Sequence, residues 1–127
     1  MNNKEITLVN LPNRTASLMN HAYQISNYGT LDHVLKSIEY RIEHDFNLPS
    51  FLIIHNSNID SSEFGEFNKA LQKLFVKIPT VVLDEAPSSE KMRTYQKMGA
   101  GDYLSDDVPD ESILRQLKRL DKSNTSK

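Results

Sequence analysis

Two stretches decide the fold: Pro79-Thr-Val-Val-Leu-Asp84 and Gly99-Ala-Gly-Asp-Tyr-Leu-Ser-Asp-Asp107. The first is an apolar run typical of a strand buried on both faces, and Tyr103-Leu104 predicts a further strand within the second. Between them, residues 90–98 have a helical pattern, and Gly99 is placed to end that helix in a left-handed conformation. Another helix follows Pro109, with an apolar face made by Ile113, Leu114, Leu117 and Leu120. The last third of the chain therefore predicts strand, helix, strand and helix.

The same alternation extends upstream. Apolar or alternating runs predict strands at residues 6–9, at 23–28 on a sheet edge, and at 51–54. The clearest helix follows Thr30, which is a suitable N-cap residue. Its predicted apolar face consists of Leu31, Val34, Leu35, Ile38 and Ile42.

Two further helices complete the pattern. A short one is predicted after Pro12-Asn13, with Leu18 and Met19 turned inward, and another follows the capping-box-like segment Asp60-Ser-Ser-Glu63. Five strands alternating with five helices predict an α/β, flavodoxin-like, doubly wound three-layer sandwich with strand order 2-1-3-4-5. A ligand site would then lie at the carboxyl ends of the central strands.

Composition limits the class of protein. The 127 residues, 38% hydrophobic and 25% charged, are typical of one soluble globular domain, and a net charge of −2 offers no electrostatic footprint for nucleic acid. The absence of cysteine excludes disulfides and suits a reducing cytoplasm. The longest apolar stretch, Phe51-Leu-Ile-Ile54, is too short to span a bilayer. We predict a cytoplasmic domain at residues 1–121, without nucleic-acid or membrane contact, and a polar tail or the start of a linker to an output domain at 122–127.

The phrase Gly99-Ala-Gly-Asp-Tyr-Leu104 resembles the last third of a response-regulator receiver domain (CheY-like), and the likeness is specific from about Phe51 onward. The resemblance implies the fold predicted above and a role in bacterial two-component signal transduction. A receiver holds Mg²⁺ with two acidic residues after its first strand and accepts a phosphoryl group on an Asp that ends its third strand. A Thr or Ser ending the fourth strand and a Lys ending the fifth contact the phosphoryl oxygens. The metal and the Lys neutralise their charge.

The metal and phosphoacceptor positions differ from the receiver pattern. The acidic pair falls near Asn10 and Leu11, so the metal-binding carboxylates are missing and Mg²⁺ would be weakly held. The phosphoacceptor position falls on His55. A phosphohistidine at His55 is a less favoured alternative, because phosphotransfer histidines normally lie exposed on helices and the surroundings here are acidic.

The positions that would contact the phosphoryl oxygens are acidic. The hydroxyl position falls on Asp84, the lysine position on Asp106 and the proline after it on Asp107. Asp106 repels a phosphoryl group, and crowding with Asp84 strengthens that repulsion. We interpret the chain as a pseudo-receiver. We expect His55 to hydrogen-bond a neighbouring aspartate, with a divalent-metal site or a His–carboxylate acid/base pair as the alternative.

The resemblance also implies a surface for partners. Tyr103 matches the aromatic residue that moves between exposed and buried positions in receivers. The usual partner and dimerisation face of a receiver is made by its fourth helix, fifth strand and fifth helix. Tyrosine and arginine are favoured at binding hot spots, and an ordinary solvated face with a partly buried tyrosine is the alternative. Here that face would offer Lys91, Tyr95, Tyr103, Arg115 and Arg119.

Two functions remain after this comparison. The leading hypothesis is a phosphorylation-independent regulatory domain that contacts protein partners and forms a homodimer through the same face. The alternative is a domain of this fold that senses a ligand or divalent cation in the acidic strand-end crevice. No Gly-rich phosphate loop, nucleophile elbow or Cys/His dyad occurs, so the sequence predicts neither an enzyme nor a cofactor.

Overall fold

A five-stranded parallel sheet forms the centre of the molecule. The computed structural model describes residues 4–11, 23–56 and 60–125. The strands are β1 (Glu5–Val9), β2 (Gln24–Tyr28), β3 (Phe51–His55), β4 (Thr80–Asp84) and β5 (Asp102–Ser105). Their order is β2-β1-β3-β4-β5, and every neighbouring pair is parallel. The predicted fold and strand order are confirmed, and all carboxyl strand ends meet at one edge.

Four helices accompany the described strands: three connect successive strands, and the last follows β5. They are α1 (Leu31–Glu43), α2 (Ser61–Lys73), α3 (Ser89–Lys97) and α4 (Asp110–Thr125). The side chains of Thr30 and Asp60 accept the backbone N–H three residues ahead, which confirms both predicted N-caps. The helix predicted after Pro12-Asn13 lies outside the described residues. Within those residues, no helix is long and apolar enough to cross a membrane.

The last helix is longer than predicted. It continues to Thr125, so residues 122–125, assigned above to a tail, are helical. The segment Asp121-Lys-Ser-Asn-Thr125 contains neither Gly nor Pro, so no strong local signal ends the helix earlier. The boundary of the domain stays a prediction.

Three helices end in the same way. After each, one residue has a positive φ: Asp45 (59°), Phe75 (58°) and Gly99 (113°). The next residue returns its N–H to a carbonyl five residues earlier, which defines a Schellman motif. The predicted role of Gly99 is confirmed. Glycine usually occupies this position, so Phe75 is the unexpected member of the set.

Apolar side chains cover both faces of the sheet. Helices α1 to α3 pack on one face and α4 packs on the other. Ile42, predicted on the buried face of α1, is 41% exposed. It lies in the last turn of α1, beside the exposed segment 43–47, so its spacing alone does not bring it against the core.

An ion pair that the sequence pattern did not predict joins β1 to α1. Arg41 Nη1 and Nη2 donate to the two carboxylate oxygens of Glu5, each at 2.8 Å, and Ser26 Oγ donates to Glu5 Oε2 at 2.7 Å. Burial alone raises the pKa of Glu5, but the hydrogen bonds from Arg41 and Ser26 and the charge of Arg41 lower it below its usual range. The bidentate geometry fixes α1 against the sheet.

Candidate functional site at the carboxyl edge of the sheet

The predicted site residues lie at the carboxyl edge of the sheet. His55 ends β3, Asp84 ends β4, and Asp106 directly follows β5. The backbone N–H of Asp106 donates to the carbonyl of Asp84 at 2.9 Å, which holds the two strand ends together. Asp107 is exposed and accepts a hydrogen bond from Ser105 Oγ at 2.6 Å.

The two positions that correspond to the metal-binding pair of a receiver, Asn10 and Leu11, have structural roles here. Asn10 follows β1 with a φ of 62°, and its N–H donates to the carbonyl of Tyr28 at 2.8 Å. Asparagine tolerates this left-handed conformation better than most residues. Leu11 is buried in the apolar cluster that includes Ile113 and Leu114. Its side chain therefore belongs to the core.

His55 and Asp106 form a direct contact. His55 Nε2 lies 2.9 Å from Asp106 Oδ2, and both side chains are largely shielded from solvent, with 13% and 31% exposed. This contact is the hydrogen bond expected between the histidine and a neighbouring aspartate. It joins the end of β3 to the loop that follows β5.

Asp84 is the centre of a second, more deeply buried group. Its side chain accepts hydrogen bonds from the phenol of Tyr103, from the Ala86 N–H at 3.0 Å and from Lys91 Nζ at 3.3 Å. Asn56 Nδ2 in turn donates to the Tyr103 oxygen at 3.1 Å. Since Asp84 is only 2% exposed, these donors replace the water that a carboxylate requires. Asp84 and Asp106, which were expected to crowd one another, each have partners of their own: Tyr103 and Lys91 for Asp84, and His55 for Asp106.

The electrostatics of this group follow from its contacts. Burial raises the pKa of Asp84, but hydrogen bonds from Tyr103, Ala86 and Lys91, together with the lysine charge, outweigh it and hold the pKa below its usual range. Burial, followed by the hydrogen bond to Asp84 and its charge, raises the pKa of Tyr103. At neutral pH the group therefore consists of an ionised carboxylate and a protonated phenol.

The predicted partner face is only partly at the surface. Tyr95 and Tyr103 are 5% and 2% exposed, with ring centroids 5.2 Å apart, so the prediction that they present a surface is wrong. Their rings pack in the core while their polar ends are satisfied inside, which favours burial. Lys91 is exposed although its ammonium group reaches Asp84, and both Arg115 and Arg119 are exposed.

Asn56 is the functional candidate that the sequence did not reveal. It hydrogen-bonds both Tyr95 and Tyr103 from its position just after β3. A polar residue directly following a buried strand was the available signal. In the described part of the chain, no three His, Cys, Asp or Glu side chains come together in a group that could hold a metal ion.

The fold has clear counterparts among solved structures. Neither a family model nor a curated protein matches the sequence. The crystal structure of FixJ-N is similar at a TM-score of 0.73 with 18% identity, covering 96% of both chains. The beryllofluoride-activated NtrC4 receiver domain dimer has a TM-score of 0.74 and 14% identity, over 94% of this chain and 97% of that one. The receiver domain of the histidine kinase CKI1 from Arabidopsis thaliana, complexed with Mg²⁺ and BeF₃⁻, has a TM-score of 0.69 and 15% identity, over 91% of this chain and 90% of that one. The chain therefore has the CheY-like receiver fold.

Proposed function

We propose that this chain is a cytoplasmic, non-enzymatic regulatory domain of two-component signalling that acts independently of phosphorylation, through protein contacts. The observation that carries the proposal is the occupation of the carboxyl edge. The His55–Asp106 contact occupies the positions of the phosphoacceptor and the lysine, and the Asp84–Tyr103 hydrogen bond occupies that of the hydroxyl.

The charges at this edge oppose phosphoryl transfer. A transferred phosphoryl group needs cations around its oxygens. Here Asp84 and Asp106 supply carboxylates instead, and the nearby ammonium group of Lys91 contacts Asp84 and the carbonyl of Ala86. An incoming anion would also have to compete with those contacts.

The buried position of Tyr103 supports signalling through a partner face that does not change when the domain is activated. The ring is buried against Tyr95, and hydrogen bonds to Asp84 and Asn56 satisfy its hydroxyl group. Moving the ring outward would leave the Asp84 carboxylate buried without one of its donors, which is costly. The exposed cations Lys91, Arg115 and Arg119 would then provide a permanent partner face. The NtrC4 counterpart is described as a receiver domain dimer, and we propose homodimerisation here by analogy.

Amide NMR tests the absence of a phosphoryl response. Spectra are recorded before and after addition of Mg²⁺, and then of beryllofluoride. We expect the peaks of His55, Asp84 and Tyr103 to stay in place. Saturable shifts that spread from His55 to Tyr103 would contradict the proposal.

Intact-mass spectrometry after incubation with acetyl phosphate and Mg²⁺ provides a second test. The wild-type chain should not gain a phosphoryl group. A gain in the wild type that is lost in His55→Gln would assign a phosphohistidine and overturn the proposal. The His55→Asp variant serves as the matched comparison, since it restores a carboxylate acceptor.

The cation-sensing alternative stays a prediction. Calorimetric titration with Mg²⁺, Mn²⁺ or Ca²⁺ tests it directly. Saturable binding that Asp106→Asn weakens would favour that alternative over the signalling module.

A further inference from the structure

A cavity lies at the opposite, amino-terminal edge of the sheet. It has a volume of about 470 Å³ and is enclosed by the end of α2, the segment leading into β4, the α3–β5 loop and Leu120 of α4. This volume falls within the range of about 300–1,000 Å³ that is usual for small-molecule sites. The cavity is separated from the His55–Asp106 edge by the length of the strands.

The lining defines the chemistry of a ligand. Most of the wall is apolar, and the polar side chains among the described lining residues are few: Asn68, Gln72, Lys77 and Thr80. The Thr80 hydroxyl donates to the carbonyl of Ile78 at 3.0 Å. Among the described residues that line the cavity, Lys77 is the only charged one. The apolar part of the wall consists of Leu71, Phe75, Val76, Ile78, Pro79 and Leu120.

The last carbonyl groups of α2 repel an anion in the cavity only weakly. The carbonyls of a last helical turn carry partial negative charge when they are left open. Here the N–H groups of Phe75 and Val76 donate to the carbonyls of Gln72 and Leu71, at 3.0 and 2.9 Å. Lys73 adds a positive charge in the last turn.

Two glycines shape the far wall. A side chain at Gly99 would collide with the amide of Asn68, and a Cβ at Gly101 would lie 2.8 Å from Leu120 Cδ1. The α3–β5 loop can therefore lie directly against α2 and α4, and the Gly101 N–H donates to the Thr80 carbonyl at 2.8 Å. These contacts hold the α3–β5 loop in place as the wall of the cavity opposite Lys77.

Phe75 lies at the rim and is unusual in two ways. Its side chain is 96% exposed, and its φ of 58° is one that bulky residues rarely adopt. Neither feature stabilises the fold. A strained residue beside a cavity is a reason to look for a ligand contact.

We propose that this cavity binds a small organic carboxylate with an aromatic or aliphatic body. The body packs on Leu71, Val76 and Leu120, Phe75 covers its outer side, and the carboxylate pairs with Lys77. The one cation among the described lining residues favours a ligand with a single negative charge. The site is independent of the proposed signalling function.

NMR titration with benzoate, phenylacetate and hexanoate tests the proposal, with phenylacetamide as the neutral control. We expect saturable shifts at residues 71–80 and 99–101, and weaker binding of the amide. Lys77→Gln should weaken the binding of the carboxylates by roughly two- to fivefold, as expected for one solvent-exposed charge pair. The control variant Lys69→Gln removes a charge from an exposed position of the same helix outside the lining and should bind as the wild type does.

Several outcomes would overturn the site. The first is an absence of saturable shifts at these peaks with any of the three carboxylates at millimolar concentration. The second is binding that Lys77→Gln leaves unchanged, or that the amide matches. A third is a shift of the Phe75 peak with protein concentration alone, which would mean that a second copy of the chain covers the cavity. Phe75→Ala should weaken binding while leaving the fold intact, as checked by its amide spectrum.

Discussion

Removal of the Tyr103 hydroxyl tests the buried group around Asp84 most directly. Tyr103→Phe keeps the ring, which is 2% exposed and packed on Tyr95, but deletes the donor to the Asp84 carboxylate. A hydrogen bond to a charged group contributes about 1.5–3 kcal/mol. Since Asp84 keeps the Ala86 N–H and Lys91, we expect a loss near the middle of that range, about 2 kcal/mol of unfolding free energy at pH 7.

The pH dependence of this loss has a definite sign. The pKa of Asp84 is lower in the folded state than in the unfolded chain. Its contribution to stability is therefore complete above the unfolded pKa, about 3.9, and is lost as the pH falls through the folded pKa. The difference between the wild type and Tyr103→Phe should accordingly be largest at neutral pH and should shrink below about pH 4.

Urea denaturation at a series of pH values measures both effects. The midpoint should fall at an unchanged slope, because the surface exposed on unfolding is unaltered. Tyr28→Phe is a comparison variant, since its hydroxyl contacts Ser37 Oγ at 3.0 Å and the guanidinium group of Arg41, neither of which is a carboxylate. It should cost about 1 kcal/mol or less at pH 7. Equal stability of Tyr103→Phe and the wild type, or a loss that persists unchanged in acid, would refute the proposed interaction.

Four further variants test other parts of the structure. Glu5→Gln should lower the unfolding free energy by about 1–3 kcal/mol at pH 7, because it removes the charge that Arg41 contacts. In denaturation at neutral and acid pH, the greater stability of the wild type should vanish as the pH falls through the lowered pKa of Glu5. A difference that survives in acid would contradict the ion pair. Phe75→Gly should raise the unfolding free energy by about 0.5–1 kcal/mol, because glycine adopts the left-handed conformation without strain and the phenyl ring makes little packing contact. A lower melting temperature of this variant would show that the phenyl ring is packed in solution. Ile38→Ala should cost about 2–5 kcal/mol, whereas Ile42→Lys should change stability by no more than about 0.5 kcal/mol; similar losses in the two would contradict the burial assigned to α1.

Much of the fold could be predicted because its signals are local. The buried runs that end at His55 and Asp84 identify central strands, and Thr30, Asp60 and Gly99 mark helix ends through contacts with residues only a few positions away. Parallel strands then bring their carboxyl ends to one edge, so the sequence could also place the candidate site residues. It could not predict the exposure of Ile42, since helical spacing does not tell how far the core extends along the helix.

The sequence by itself determined the alternation of strands and helices, the helix boundaries at Thr30, Asp60 and Gly99, and the acidic character of the carboxyl edge. Only the tertiary structure decided which polar atoms meet there: the Tyr103 hydroxyl turns inward to Asp84, and Asn56 reaches that hydroxyl from its position just after β3. Likewise, the cavity beside Phe75 exists only because three segments distant in sequence enclose it. The reason is physical. Periodicity and capping depend on neighbours along the chain, whereas hydrogen-bond partners and cavities depend on distances between side chains that packing alone sets.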